Sequence, residues 1–318
     1  MENNNTEKLD KKNVDNENIE NTDGTNPDFR AGLIALVGLP NAGKSTLLNA
    51  IIGEKIAIVS HTPNTTRNAI YGIKTTKDYQ AIFVDTPGFH SPKSTLNKAI
   101  VQQAIDSLSI VDVICLLVEA GGKRSKDFEH MIALVKDAPQ EKILIVTKVD
   151  KVAKEVVYKT AEDVFPLCPF KHVLPVSAIK DINIDTLMNL IRDELPENVM
   201  QYDEDLITTQ PEKFLIAEYI REQIFQRLRH EVPHNTLVEI EEYTEGPKNM
   251  NINAIIYVNR DSQKGIVIGD GGQMLKAIGT AARLNLESFF DKKVRLNLWV
   301  KVKENWISKS EYINMQGI

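Results

Sequence analysis

The eight residues Gly38–Ser45, GLPNAGKS, constrain this chain more than any other stretch. They match G-x-x-x-x-G-K-[ST], between the apolar run AGLIALVG and the helical pattern KSTLLNAIIG. A glycine turn from a strand into a helix gathers backbone N–H groups and the helix's positive end at one point, which suits phosphate. Glycine also allows the close approach. Asn41, Ala42, Gly43 and Thr46 are then expected around the phosphates, with Lys44 reaching the β- and γ-phosphates and Ser45 a ligand of Mg²⁺.

From Arg30 to about Pro196, apolar strand patterns alternate with helical ones. AIYGIKTT, YQAIFVDT, VDVICLLVE, KILIVTKVD and HVLPVSA read as strands. STLNKAIVQQAIDSL, KDFEHMIALVKDA, EVVYKTAEDVF and IDTLMNLIRDEL read as helices. That alternation predicts a doubly wound α/β fold with a mostly parallel sheet. Its binding crevice should lie at the carboxyl ends of the strands.

Three further motifs fall on strand ends. In Asp85–Gly88, DTPG, the aspartate is placed to hold Mg²⁺, and the Gly88 N–H to sense a γ-phosphate, with Thr86 and Pro87 between them. In Thr147–Asp150, TKVD, the Asp150 carboxylate can accept paired hydrogen bonds from guanine N1–H and N2–H₂. Adenine lacks that donor pair, so guanine is favoured, with Lys148 beside it. Ser177, Ala178 and Ile179 can support the base with backbone N–H groups. A P-loop kinase shares the first loop, but DTPG and TKVD argue against it, and selective ATP binding would mark it.

The flanks differ. Residues 1–29 are Asn-rich, acidic and poor in large apolar groups, and are expected to be disordered. Residues 197–210 read as a linker. Residues 211–306 run helix, strand, strand, helix, helix, strand, an α+β order, and 307–318 form a tail. Between the two middle helices lies GDGG, Gly269–Gly272. It lacks the lysine and hydroxyl of a nucleotide loop. It fits the G-x-x-G turn of a type II KH domain, which clamps a single-stranded nucleic-acid backbone. Two helices joined by a glycine turn is the plain alternative. Residues 260–303 carry nine bases against four acids in a chain of net charge −6, which points to a polyanion partner or, equally on charge alone, to a solvated salt-bridged surface. Lys264, Ile268, Gly269, Asp270, Gly271, Gly272 and Lys276 are the candidate RNA contacts. The carboxylate of Asp270 should weaken phosphate attraction. Ile252, Ala254, Ile256 and Val258 are expected to form one wall of the groove, with much of that stripe also in the core. The two cysteines, Cys115 and Cys168, have no metal or disulfide spacing and suggest a reducing compartment.

GLPNAGKS, NTTR and DTPGF together resemble the TrmE–Era–EngA group of GTPases. LPEN, EYIREQI, VEIEEY, IVIGDGGQMLKAIG and LNLWVKVKENW are similar, in matching order, to the Era-like members, from Arg30 to Trp306. The resemblance implies a P-loop GTPase domain followed by a type II KH domain. It makes Thr65 or Thr66 the switch threonine, and Thr66 the favoured Mg²⁺ ligand. Lys44, Thr66 and Gly88 then act on the transferring phosphoryl group, and Asn41 is a candidate K⁺ ligand. It further implies a monomeric, cytoplasmic GTP/GDP switch that binds the 3′ end of 16S ribosomal RNA and assists 30S subunit maturation, with peripheral membrane association. Thr147 stands where the pattern has Asn, so weaker nucleotide affinity is expected. Phe89 cannot orient water as the glutamine of Ras-like proteins does, so slow turnover is expected. A nucleotide-holding RNA scaffold with little turnover is the alternative these two residues leave open.

Overall fold

The computed structural model describes residues 28–60, 62, 67–89, 102, 108–304 and 306. The expected N-terminal disorder, Thr65, Thr66, most of the helix expected over 94–108 and the tail 307–318 lie outside the described residues.

Six strands form the first sheet: β1 (Arg30–Gly38), β2 (Ile70–Thr75), β3 (Tyr79–Asp85), β4 (Val113–Glu119), β5 (Glu141–Thr147) and β6 (His172–Val176). Their order is β2-β3-β1-β4-β5-β6, and only β2 and β3 pair antiparallel. This is the mostly parallel sheet the alternation predicts. Strands covered on both faces must be apolar on both. Ile34, Leu36, Val113 and Ile145 enter one core, while Ala35, Val37, Ile114 and Val146 enter the other.

The winding reverses at β1, which lies between β3 and β4 and so opens a crevice at its carboxyl end. There the glycine loop turns into α1 (Lys44–Ile52). Leu47, Leu48, Ile51 and Ile52 bury one face of α1, and Gly53, in the left-handed region at φ 86°, ends it. The helices α2 (Lys126–Asp137), α3 (Lys154–Val164) and α4 (Ile184–Glu194) complete the layers.

The connecting stretch does not hang free. The fully buried Gln80 accepts from the Gln201 and Tyr202 N–H groups at 2.8 and 3.0 Å and donates to the Tyr202 carbonyl at 2.8 Å. Further on, Ile73 N–H donates to Ile207 O at 2.8 Å and the Thr208 hydroxyl to Tyr71 O at 2.6 Å. Residues 207–208 thus lie along the outer edge of β2, pairing antiparallel at Gly72 and Thr208.

The second unit has α5 (Glu212–Arg227), β7 (Leu237–Glu245), β8 (Asn249–Val258), α6 (Asp261–Ile268), α7 (Gln273–Phe290) and β9 (Lys293–Val302). β7 and β8 run antiparallel, β8 and β9 parallel. The order matches the α+β expectation, with two revisions. α5 is enclosed rather than simply amphipathic, because Glu218, Arg221, Glu222 and Gln223 are buried along with its apolar residues. Ile252, Ala254, Ile256 and Val258 are fully buried in the core beneath the helices, so they do not wall an open groove. Both cysteines are buried and free. No helix among the described residues is long and apolar enough to cross a membrane.

Candidate functional site

A cavity of about 370 Å³ opens at the carboxyl ends of β1, β5 and β6. Four loops meet there and bring Asn41, Gly43, Lys44, Ser45, Thr46, Gly88, Thr147, Lys148, Asp150, Ser177, Ala178 and Ile179 onto its wall. Ala42, Asp85, Thr86 and Pro87 do not line it. Thr86 is buried, its hydroxyl donating to Leu36 O at 2.8 Å, so it braces β1 against β3 rather than facing a ligand.

At the phosphate end, Ser45 Oγ donates to Asp85 Oδ2 at 2.5 Å. Asp85 is wholly buried, and its Oδ1 has no hydrogen-bond partner among the described residues. Burial pushes this carboxyl up to about 6, with Lys44 and the Ser45 hydroxyl pulling the other way. Lys44 Nζ donates to Gly38 O at 3.1 Å and Leu39 O at 3.2 Å. Burial lowers the ammonium pKa, opposed by Asp85. A hydroxyl and a carboxylate with one unpartnered oxygen are hard donors that fit Mg²⁺. No group of three or more His, Cys, Asp or Glu among the described residues could hold a metal. Mg²⁺ usually keeps several positions for phosphate and water, and Thr66, the further ligand the resemblance implies, lies outside the described residues.

Gly88 packs so tightly on the loop that a Cβ would lie 2.8 Å from Pro40 Cα. The next residue, Phe89, donates its N–H to Gly38 O at 3.1 Å and buries its ring edge-on to His130. Its side chain is therefore core, and water in the cavity gets no orienting group from it. Asn41 holds a left-handed φ of 64°, which asparagine tolerates better than most residues.

At the other end, Thr147 Oγ1 donates to Ala42 O at 2.7 Å. The shorter side chain thus still reaches the phosphate loop. Ser177 Oγ donates to Asp150 Oδ1 at 2.6 Å, and this bond holds the Asp150 carboxyl below its ordinary value. An ionised acceptor is what a guanine edge requires. Lys148, at φ 57°, pairs its ammonium with Glu119 at 2.7 Å. Ile58, Val59, Ser60, Glu119 and Lys151 also line the cavity. The sequence reading missed them because no spacing marks a loop that returns after a glycine-capped helix.

The second glycine turn lies far from this cavity in sequence and joins α6 to α7. Gly269, Gly271 and Gly272 have φ values of 72°, 57° and 82°, and a Cβ at Gly271 or Gly272 would meet nothing within 4 Å. The turn is thus open on its outer side. Asp270 is exposed in it, Lys276 is exposed one turn into α7, Lys264 is half-buried on α6, and Ile268 is half-buried before the turn. Ile266, also exposed, adds an apolar surface that the sequence reading did not single out.

A phosphate loop on a parallel sheet, a carboxylate for the base and a KH-type glycine turn define a P-loop GTPase joined to a nucleic-acid-binding domain. A family model described as 50S ribosome-binding GTPase matches residues 33–148, and a KH domain model matches residues 231–307. The GTPase Era of Thermoanaerobacter sp. is 45% identical over 290 residues, covering 91% of this chain and 96% of that protein. The GTPase Era of Geotalea daltonii is 41% identical over 294 residues, covering 92% and 99%. A crystal structure of Era with MgGDPNP and nucleotides 1506–1542 of 16S ribosomal RNA superposes with a TM-score of 0.84 at 36% identity, covering 91% of this chain and 99% of that one. A variant of Aquifex aeolicus Era bound to GDP·AlF₄⁻ gives a TM-score of 0.85 at 37% identity, with the same coverage. The chain belongs to the Era family of GTPases, and it hydrolyses GTP.

Proposed function

We propose that this protein is a GTP-operated switch that binds the 3′ end of 16S ribosomal RNA through its KH domain and assists 30S subunit assembly. The observation that carries it is the likeness over nine-tenths of the chain to an Era structure holding both a GTP analogue and that RNA. Two separate glycine turns, one at the cavity and one open to solvent, fit two phosphate-bearing ligands.

Turnover moves the γ-phosphoryl group from the β–γ bridging oxygen to water, leaving GDP and phosphate. The loop N–H groups from Asn41 to Thr46 cradle the phosphates, and Lys44 swings from the Gly38 and Leu39 carbonyls onto the β- and γ-oxygens. Ser45 and Asp85 hold Mg²⁺, which offsets the charge on the phosphates when bound. Gly88 offers its N–H to the γ-phosphate, and Thr66, in the segment outside the described residues, would serve as a further Mg²⁺ ligand and γ-phosphate sensor. Asp150 selects guanine, while Thr147 ties its strand to the loop. With Phe89 buried, intrinsic turnover is slow, and a K⁺ held by Asn41 supplies further positive charge. The protein acts as a monomer in the cytoplasm and touches the membrane surface peripherally.

Crosslinking in cells tests the division of labour. Gly269→Asp and Gly272→Asp should abolish recovery of 16S RNA while GTP binding stays intact. Undiminished recovery would move the RNA site elsewhere. Equal turnover in K⁺ and Na⁺ would remove the potassium assignment.

A further inference from the structure

Two contacts from the KH side grip the G domain on either side of residues 60–66. On the amino side, Glu222 of α5, 1% exposed, accepts from Val59 N–H at 3.0 Å and from Lys55 Nζ at 2.5 Å. Tyr219, one turn earlier, donates its hydroxyl to Lys55 O at 2.6 Å. On the carboxyl side, the buried Arg67 donates to His234 O at 2.8 Å and Thr236 O at 3.1 Å, under the ring of Trp306. Val59 lines the nucleotide cavity.

The same contacts lead to the RNA turn. α7 starts at Gln273, directly after Gly272, and runs 18 residues, about 27 Å at helical rise. Near its far end Phe289 packs on Tyr219, ring centroids 5.6 Å apart, and touches both the G-domain core and the KH core. A stiff rod therefore joins the glycine turn to the residue that holds Lys55.

We propose that Glu222 and Arg67 are positioning residues that make GTP and RNA binding interdependent. They fix Val59 and Arg67, the flanks of the segment bearing Thr66, to the domain that carries the second glycine turn. Neither Glu222 nor Arg67 lines the nucleotide cavity or belongs to the glycine turn. Their effect therefore appears in the coupling between the ligands rather than in either affinity alone. The inference rests on the GTP-and-RNA reading proposed above.

The test uses the full chain and a labelled RNA of nucleotides 1506–1542, the segment held by the solved relative. RNA affinity is measured with a non-hydrolysable GTP analogue and with GDP, in wild type, Glu222→Gln and Arg67→Lys. The wild-type ratio should differ from one by at least about fivefold, and the GTP-analogue affinity with and without RNA should shift by the same factor. In both variants the ratio should fall within about twofold of one, with GDP-state RNA affinity kept. If either variant fails to melt cooperatively, Lys55→Met replaces it, since that side chain is 37% exposed. Variants that keep the wild-type ratio overturn this inference and leave the functional reading standing. A wild type that ignores the RNA, or binds it equally with either nucleotide, overturns the functional reading itself.

Discussion

The Thr147 hydroxyl bridges to the Ala42 carbonyl across 2.7 Å, joining the end of β5 to the phosphate loop. Thr147→Val keeps the shape and leaves that buried carbonyl without its donor. Stability should fall by about 1–3 kcal/mol. GDP affinity should weaken by about tenfold, since a loosened loop no longer holds its N–H groups in register. Thr147→Ser, which keeps the hydroxyl, should lose much less. Titration with a fluorescent guanine nucleotide, alongside thermal melts, checks both.

Gly88 against Pro40 leaves no room for a methyl group. Gly88→Ala must push the loop after β3 away from the phosphate loop and so misplace the Gly88 N–H. A displacement on the order of 1 Å can cost about 100-fold in rate. Single-turnover GTP hydrolysis should slow by that order, with GDP affinity changed far less.

Asp270 is exposed in the glycine turn, where a nucleic-acid backbone approaches. Asp270→Lys should tighten single-stranded RNA binding and steepen its salt dependence by about 0.7 in log–log slope for one added phosphate contact. Fluorescence anisotropy across a KCl series measures the slope. An unchanged slope would mean that the residue points away from the bound strand.

His234 sits at the joint between the domains, edge-on to Phe225. Burial, then Arg67 and Arg221, hold its imidazole below the ordinary 6.5. The unfolded chain therefore takes up the proton first as pH falls. The stability contribution is complete above 6.5 and is lost as pH drops through that value toward the folded-state pKa. The melting temperature should decline from about pH 7.5 to about 5.5, and His234→Phe should flatten that decline.

What the sequence made legible follows from what each feature demands. The phosphate loop, DTPG, TKVD and the second glycine turn could be read because close approach to backbone or phosphate restricts residue type. The mostly parallel sheet could be inferred because helices on both faces force apolar runs. The grip of Glu222 on Val59 could not be read. It joins a side chain to a backbone N–H 163 residues away, with no periodicity or spacing to signal it. The charged residues within α5, Glu218, Arg221 and Glu222, were the available sign. Spacing alone cannot tell a buried charge from the polar face of an amphipathic helix. The stripe from Ile252 to Val258 is core as expected, but its groove-wall role fails because alternation locates a buried face without separating core from groove.

The pairing of residues 207–208 with the rim of β2 has a practical corollary. A chain cut after Pro196 would bare that rim and strip Gln80 of its Gln201 and Tyr202 partners. Naked strand rims recruit other strands. The catalytic half prepared by itself should therefore self-associate, whereas one extended through Gln210 carries its own cover and should stay dispersed.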